Sequence, residues 1–174
     1  MNIFKRVIRR IRRKRALYII NVKYAGADHR YFEKKLKAMR TLGYKVGDGT
    51  KIVGPINITT QLEIGKNCWI GMNFQCQGNG KVVIKDNCDL APDITISTGG
   101  HLIGTHDRRA GEGLVNNTTI EEGCWIGVRS TIINSANIGA GSVVAACSNV
   151  IKDVPKNSLV AGNPAVVKRN LGDE

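Results

Sequence analysis

Aromatic residues make up only 5% of this 174-residue chain, and that scarcity limits how its formal charge of +12 can be read. Nucleic-acid binders of such charge interleave aromatics with their basic residues so that bases can stack. Beyond a few Tyr and Phe the cations here lack such partners, which speaks against nucleic acid as the partner. Paired cysteines are missing too. The five cysteines at 68, 76, 88, 124 and 147 are odd in number and form no CxxC, so they read as small buried apolar residues in a reducing compartment. No apolar run is long enough to cross a bilayer. KRVIRRIRRKR followed by ALYIINV and AGA mimics a secretory signal, but Asn21 interrupts the run and Lys23 follows at once, so no cleaved signal is expected. GxGxxG and Walker loops are also absent, against a Rossmann or P-loop nucleotide site.

The charge that is present is uneven. Residues 1 to 40 carry fourteen Lys and Arg against two acids, while residues 41 to 174 carry twelve of each sign. A basic N-terminal segment, 1–43, thus precedes a neutral body, 44–174, and the length suits one domain with a small appendage. Ile3, Phe4, Val7, Ile8 and Ile11 follow helical spacing, with Lys5, Arg6, Arg9, Arg10, Arg12 and Arg13 over much of the remaining surface. A second helix is expected from about Asp28 to Arg40, burying Tyr31, Phe32, Leu36 and Met39 and stopping at Gly43. Two readings of the first helix stand side by side. Residues 1 to 20 rest on an anionic membrane surface, or the apolar stripe packs on the body or a neighbouring subunit while the arginines face water.

Within the body, stepping by six from Val46 gives Ile52, Ile58, Ile64, Ile70 and Cys76. The same step joins Ile84, Leu90 and Ile96, and later Ile120, Ile126, Ile132, Ile138, Val144 and Val150. The first two runs differ by a shift of two at Gly78-Asn79-Gly80, read as a turn insertion. A second column four residues on, Cys124, Ser130, Ala136, Ser142 and Ser148, is uniformly small. Neither a helix nor a strand generates a period of six. It fits one flat side of a triangular coil whose three sides stack into a parallel β-helix, with a large and a small residue pointing inward on each side. The expected fold is therefore mainly β: a parallel β-helix with two short N-terminal α-helices and a C-terminal tail.

The rhythm stops after Ile96 and resumes at Ile120, a gap of 24. Four sides' worth of chain leaves the coil, at least in part, as an excursion at about 97–118. Long loops on rigid solenoids tend to carry function. This one, STGGHLIGTHDRRAG, holds two of the three histidines. His101-x4-His106 could begin a metal site, but a catalytic zinc needs three protein ligands, and the remaining His29 lies in the N-terminal helices, so no metal is expected. Both histidines could instead be solvated loop residues. In a third reading His101 is a general base: imidazole, with an ordinary pKa of about 6.5, can take a proton from an attacking hydroxyl near neutral pH.

The repeat, over residues 46 to about 169, resembles the hexapeptide-repeat family, and that resemblance implies a left-handed coil, against the usual hand of crossovers. APDITISTGGH resembles the strand-then-histidine motif of maltose and xenobiotic O-acetyltransferases. HLIGTHDRRAG is similar to bacterial polysaccharide O-acetyltransferases, with their H-x-I-G and R-R-A-G elements. By this resemblance His101 is the catalytic base and His106 is not. Asn73, in GMNFQC, lines the acceptor site, beside a plainer reading as a turn Asn. Arg108 and Arg109 could grip the acceptor, as could Asp107. Leu102 stands where those enzymes often have Glu, leaving Asp107 or a backbone carbonyl to orient the imidazole.

The stretch from EEGCWIG to AGNPAVVKR looks like the family's acetyl-coenzyme A segment. Trp125 then lies next to the thioester, with Gly127, Val128 and Ala146 along the pantetheine arm. Ile151 and Lys152 lie near the adenine and phosphates, and Arg169 near the 3′-phosphate, the two cations supplying the charge that a phosphorylated ligand demands. The resemblance implies a cytoplasmic, homotrimeric enzyme transferring acetyl from acetyl-CoA to a sugar hydroxyl of a cell-surface polysaccharide or its precursor. Alternatives are a small-molecule acetyltransferase of the maltose or xenobiotic type, a zinc enzyme like the gamma carbonic anhydrases, and an inactive binding scaffold.

Overall fold

The six-residue step works because the chain bends after every short strand and three strands complete one turn of a coil. In the computed structural model, which describes residues 3–172, three parallel sheets run along the coil axis. The first face stacks Val46, Ile64, Ile84 and Ile120 in register and continues through bridges to Ile138 and Val154. The second stacks Ile52, Ile70, Leu90, Ile126, Val144 and Val160. The third stacks Ile58, Cys76, Ile96, Ile132 and Val150. The chain visits the faces in rotation, and a linear period becomes a β-solenoid.

All of these residues are buried except Ile58, in an outermost strand of the third face, which is half-buried. Each fully buried aliphatic contributes about 1.5–3 kcal/mol. The small column lies inside the corners and ties them. Ser142 Oγ donates to the Pro155 carbonyl at 2.7 Å, Ser130 Oγ to Ala145 at 3.0 Å, and Cys124 Sγ to Gly139 at 3.2 Å. Four of the five cysteines are buried and none is bridged, while Cys147 is exposed at a turn.

The interruption of the rhythm is not four missing sides. Ile120 on the first face directly succeeds Ile96 on the third, and the extra chain forms an antiparallel hairpin arm inserted at the corner between them. Its strands are Gly99–Ile103 and Ala110–Val115. Spacing alone does not show this, because an arm and a lost coil break the period alike.

At the N-terminus α1 spans Ile3–Tyr18, a π-helical turn spans Ile19–Lys23, and α2 spans Phe32–Leu42. α2 ends at Gly43, whose φ of 97° is open to glycine at little cost. It also begins later than the spacing suggests. A 3-10 turn, His29–Tyr31, precedes it, capped by the Asp28 side chain accepting from the Arg30 N–H. Tyr31 therefore leaves the buried face and stacks on Tyr24 with ring centroids 4.1 Å apart. Lys35 is buried instead, its Nζ donating to the Gly26 carbonyl at 2.6 Å, and burial pushes its pKa below the ordinary lysine value.

This segment closes one end of the coil. The Asn21 amide pairs twice with the Ile56 backbone at 3.0 Å, and Gly26 bridges to Gly54, so the outer strand Ile56–Ile58 and the turn before it are tied to this segment rather than left open. α1 does not lay its apolar stripe on the coil, and Ala16 is its one buried residue. The expected tail is a strand, Ala165–Asn170, antiparallel to Ser158–Gly162. Residues 1–2 and 173–174, parts of the expected helical segment and tail, lie outside the described residues.

Candidate active site

The arm is held at its root by buried hydroxyls. Thr98, fully buried, donates to the Gln77 carbonyl at 3.0 Å and accepts from the Gly80 N–H at 3.1 Å. The Thr98 carbonyl accepts from Asn116 N–H at 2.8 Å, where the arm returns to the coil, and Thr60 Oγ donates to the Gly80 carbonyl. A Cβ at Gly80 would lie 1.8 Å from the Asn116 carbonyl oxygen, so only glycine allows this re-entry. The sequence marks Thr98 as the Thr before His101 in the motif but not as the root of an arm, and it gives no sign of Asn116. Gly80 reads only as part of a turn.

His101 lies on the arm opposite Gly113, and its side chain is exposed. Its Nδ1 is 2.9 Å from the Gly111 carbonyl oxygen. A carbonyl can only accept, so this contact requires the proton on Nδ1 and leaves the Nε2 lone pair free. The carbonyl, not Asp107, orients the ring. Asp107 instead stands 2.9 Å from His106 Nε2 in an exposed pair at the tip. Arg109 Nη1 donates to the Gly104 carbonyl at 3.2 Å and so braces the turn, while Arg108 is exposed beside it.

A trough of ≈ 430 Å³ runs along the corner between the second and third faces. Ala91, Trp125, Gly127, Val128, Val143–Ala146 and Leu159 line it. Strand register puts Trp125 beside Val143, Val143 beside Leu159, and Leu159 beside Arg169. At about 4.8 Å per strand, Trp125 and Arg169 stand roughly 14 Å apart along the coil axis. The row is apolar in the middle with a cation at one end, and Trp125 is 58% exposed, a large apolar surface left open at the trough.

The same corner carries a polar ladder. Asn73, Asp93, Arg129 and Cys147 occupy equivalent positions in successive coils, all with φ between 57° and 61°. Asn and Asp tolerate this left-handed backbone better than most residues, so Asn73 is a turn residue whatever else it does. Its amide donates to Asp93 Oδ1 at 2.8 Å, and Arg129 Nε lies 3.8 Å from Asp93 Oδ2. Asp93 and Arg129 were not expected from the sequence.

One chain does not bring all these residues together. Asn73 and the trough lie at the corner that opens the third face, whereas His101, Ile151 and Lys152 lie past the strands that end it. A four-residue strand such as Phe74–Gln77 separates the two edges by about 13 Å. Among the described residues no three His, Cys, Asp or Glu side chains are grouped to hold a metal ion.

No protein-family model matches the chain. A Saccharomyces cerevisiae protein named as an acetyltransferase is 41% identical over 118 residues, covering 64% of this chain, which spans only 60% of that protein's length. Galactoside O-acetyltransferase of Escherichia coli is 30% identical over 167 residues, covering 95% of this chain and 80% of its own. A solved galactoside acetyltransferase in complex with coenzyme A superposes with a TM-score of 0.78 at 29% identity, over 95% of this chain and 82% of that one. A Vibrio cholerae hexapeptide-repeat acetyltransferase complexed with acetyl coenzyme A gives the same score and identity over 95% and 88%. With its coil of sixes and this identity along nearly its whole length, the chain belongs to the hexapeptide-repeat acetyltransferases.

Proposed function

We propose that this protein is an acetyl-CoA-dependent O-acetyltransferase that acts on a sugar hydroxyl with His101 as general base. The observation that carries the reading is the pairing of His101 Nδ1 with a carbonyl, which frees Nε2 as a base, on a chain that also presents an apolar trough with Arg169 on the strand beside its Leu159. The trough fits the donor. Its apolar middle suits a pantetheine arm, with Trp125 at the thioester end and Gly127, Val128 and Ala146 alongside, and Arg169 stands where phosphates would lie. Bound there, acetyl-CoA supplies an acyl group on a good leaving thiol.

His101 Nε2 takes the proton from the acceptor hydroxyl as its oxygen attacks, holds it, and returns it to the departing sulfur. The Asn73 amide or a backbone N–H donates to the oxyanion. Lys152, beside Ile151, adds positive charge for the nucleotide end, and Asp107, Arg108 and Arg109 at the arm tip contact the acceptor. Because the two half-sites occupy different edges of one prism, one chain's arm completes a neighbour's trough, and the family resemblance makes that assembly a homotrimer. We place it in the cytoplasm, where the acceptor is a cell-surface polysaccharide or its precursor. A second reading, a free glycoside as acceptor, is favoured by the E. coli relative's name for galactoside acetylation.

Thermal unfolding with and without acetyl-CoA tests the donor. At 100 times its dissociation constant the ligand stabilises the fold by about 2.7 kcal/mol, and for a chain of this size Tm rises by roughly 5–10 °C. No shift at millimolar ligand would remove the donor and the proposal with it. Comparing thiol release on free galactosides and on polysaccharide repeat units then separates the two acceptors.

A further inference from the structure

The N-terminal helix leaves a surface that acetyl transfer does not use. Ile3, Val7 and Ile11 on α1 are 80%, 50% and 61% exposed. The face α1 turns toward its own chain is marked by Ala16, its one buried residue. Ala16 follows Ile11 by five positions, which is about 140° around the helix, so Ile3, Val7 and Ile11 point away from the body, while Ile8 is half-buried beside Leu42. α1 also carries eight Lys and Arg and no acid.

The stripe leads into a groove. Arg15 and Tyr18 follow Ile11 at four and seven residues and so continue its face, and both line a cleft of ≈ 680 Å³ between α1 and α2. Arg12, Lys23, Lys34 and Lys37 line it as well, with Tyr24 at one wall and, among the described residues, no acid. Among the described residues none of these five cations takes part in an ion pair. Lys34 Nζ lies 5.3 Å above each of the stacked Tyr24 and Tyr31 rings, which fixes its charge at the cleft.

We infer that α1 and this groove form a docking element for an anionic phospholipid surface: the stripe enters the acyl boundary while the groove takes a lipid phosphate. Charge complementarity selects this occupant. A second copy of α1 would bring two helices of eight cations together without an acid between them. Nucleic acid would satisfy the cations but leave the aliphatic stripe in water. A helix lying in the interface uses both. The inference does not depend on the acetyltransferase reading.

Co-sedimentation of the full chain with vesicles tests it. The probes are phosphatidylcholine alone and phosphatidylcholine with 30 mol% phosphatidylglycerol, each at 50, 150 and 500 mM salt. Binding is expected to the anionic vesicles at 150 mM, at least tenfold weaker to neutral ones, and lost at 500 mM. Val7→Ser with Ile11→Ser leaves the charge unchanged and should weaken anionic binding about tenfold or more, and Lys34→Glu with Lys37→Glu should do the same from α2. Because Val7 and Ile11 are exposed, the serine variant should keep the wild-type melting temperature. Equal binding to both vesicle types, or to neither, overturns the inference. So does an unchanged affinity in the serine variant. If that variant lowers the oligomer mass by light scattering without lipid, the stripe is a subunit contact and the inference fails. If duplex DNA displaces the vesicles and binds the serine variant as well as wild type, the surface is a polyanion site and the inference also fails.

Discussion

Replacing His101 by Ala separates chemistry from folding more sharply than any other single change. The side chain is exposed, and among the described residues its hydrogen bond is to the Gly111 carbonyl. A surface substitution of this kind stays within about 0.5 kcal/mol, so Tm should move by no more than about 2 °C. Loss of a positioned general base lowers the rate about 10²–10⁴-fold, equivalent to roughly 2.7–5.4 kcal/mol of barrier. His106→Ala is the internal control. That residue shares the arm and is also exposed, but its partner is Asp107, so its removal should cost at most about threefold. The assay is thiol release from acetyl-CoA in the presence of a glycoside acceptor, with kcat and KM for both substrates. The acetyl-CoA thermal shift should persist in both variants, because His101 acts on the acceptor hydroxyl and the donor is held by the trough residues. Equal losses in the two variants, or a His101→Ala enzyme as fast as wild type, would refute the assignment.

Further predictions concern the frame around the site. Gly80→Ala forces a Cβ to 1.8 Å from the Asn116 carbonyl at the arm's root. It should cost about 1–3 kcal/mol, seen as a Tm fall of roughly 3–10 °C with slower turnover. Gly99→Ala, where a Cβ meets nothing within 4 Å, should leave Tm unchanged. In the native protein a thiol reagent should label Cys147 alone of the five cysteines, and all five after denaturation. Burial pushes the Cys76 thiol up to about 12, above its unfolded value of about 9. The folded chain therefore holds this proton where the unfolded chain has shed it, and the resulting stability is intact below pH 9 and lost as pH rises toward 12. Denaturant melts of wild type and Cys76→Ala across that range should converge as pH rises. Parallel curves would refute the linkage.

By itself the sequence determined the repeat, and with it the solenoid, because a period of six survives only where every sixth side chain enters one core. It also marked the charge break near residue 40 and Gly43 as a helix stop, both local properties of composition and backbone. The hand of the coil came from family resemblance, since spacing is the same in either hand. Tertiary structure alone decided the rest. An arm and a missing coil interrupt a period identically, so only strand register identified the excursion as a hairpin rooted on Thr98, Gly80 and Asn116. The Gly111 carbonyl at His101 was invisible because every residue has a carbonyl, and only folding selects which one meets an imidazole. Asp93 and Arg129 join Asn73 across coils at separations no local pattern encodes. The split of the site residues between two edges likewise depends on which corner of the prism each residue reaches, a property of the closed coil and not of the linear chain.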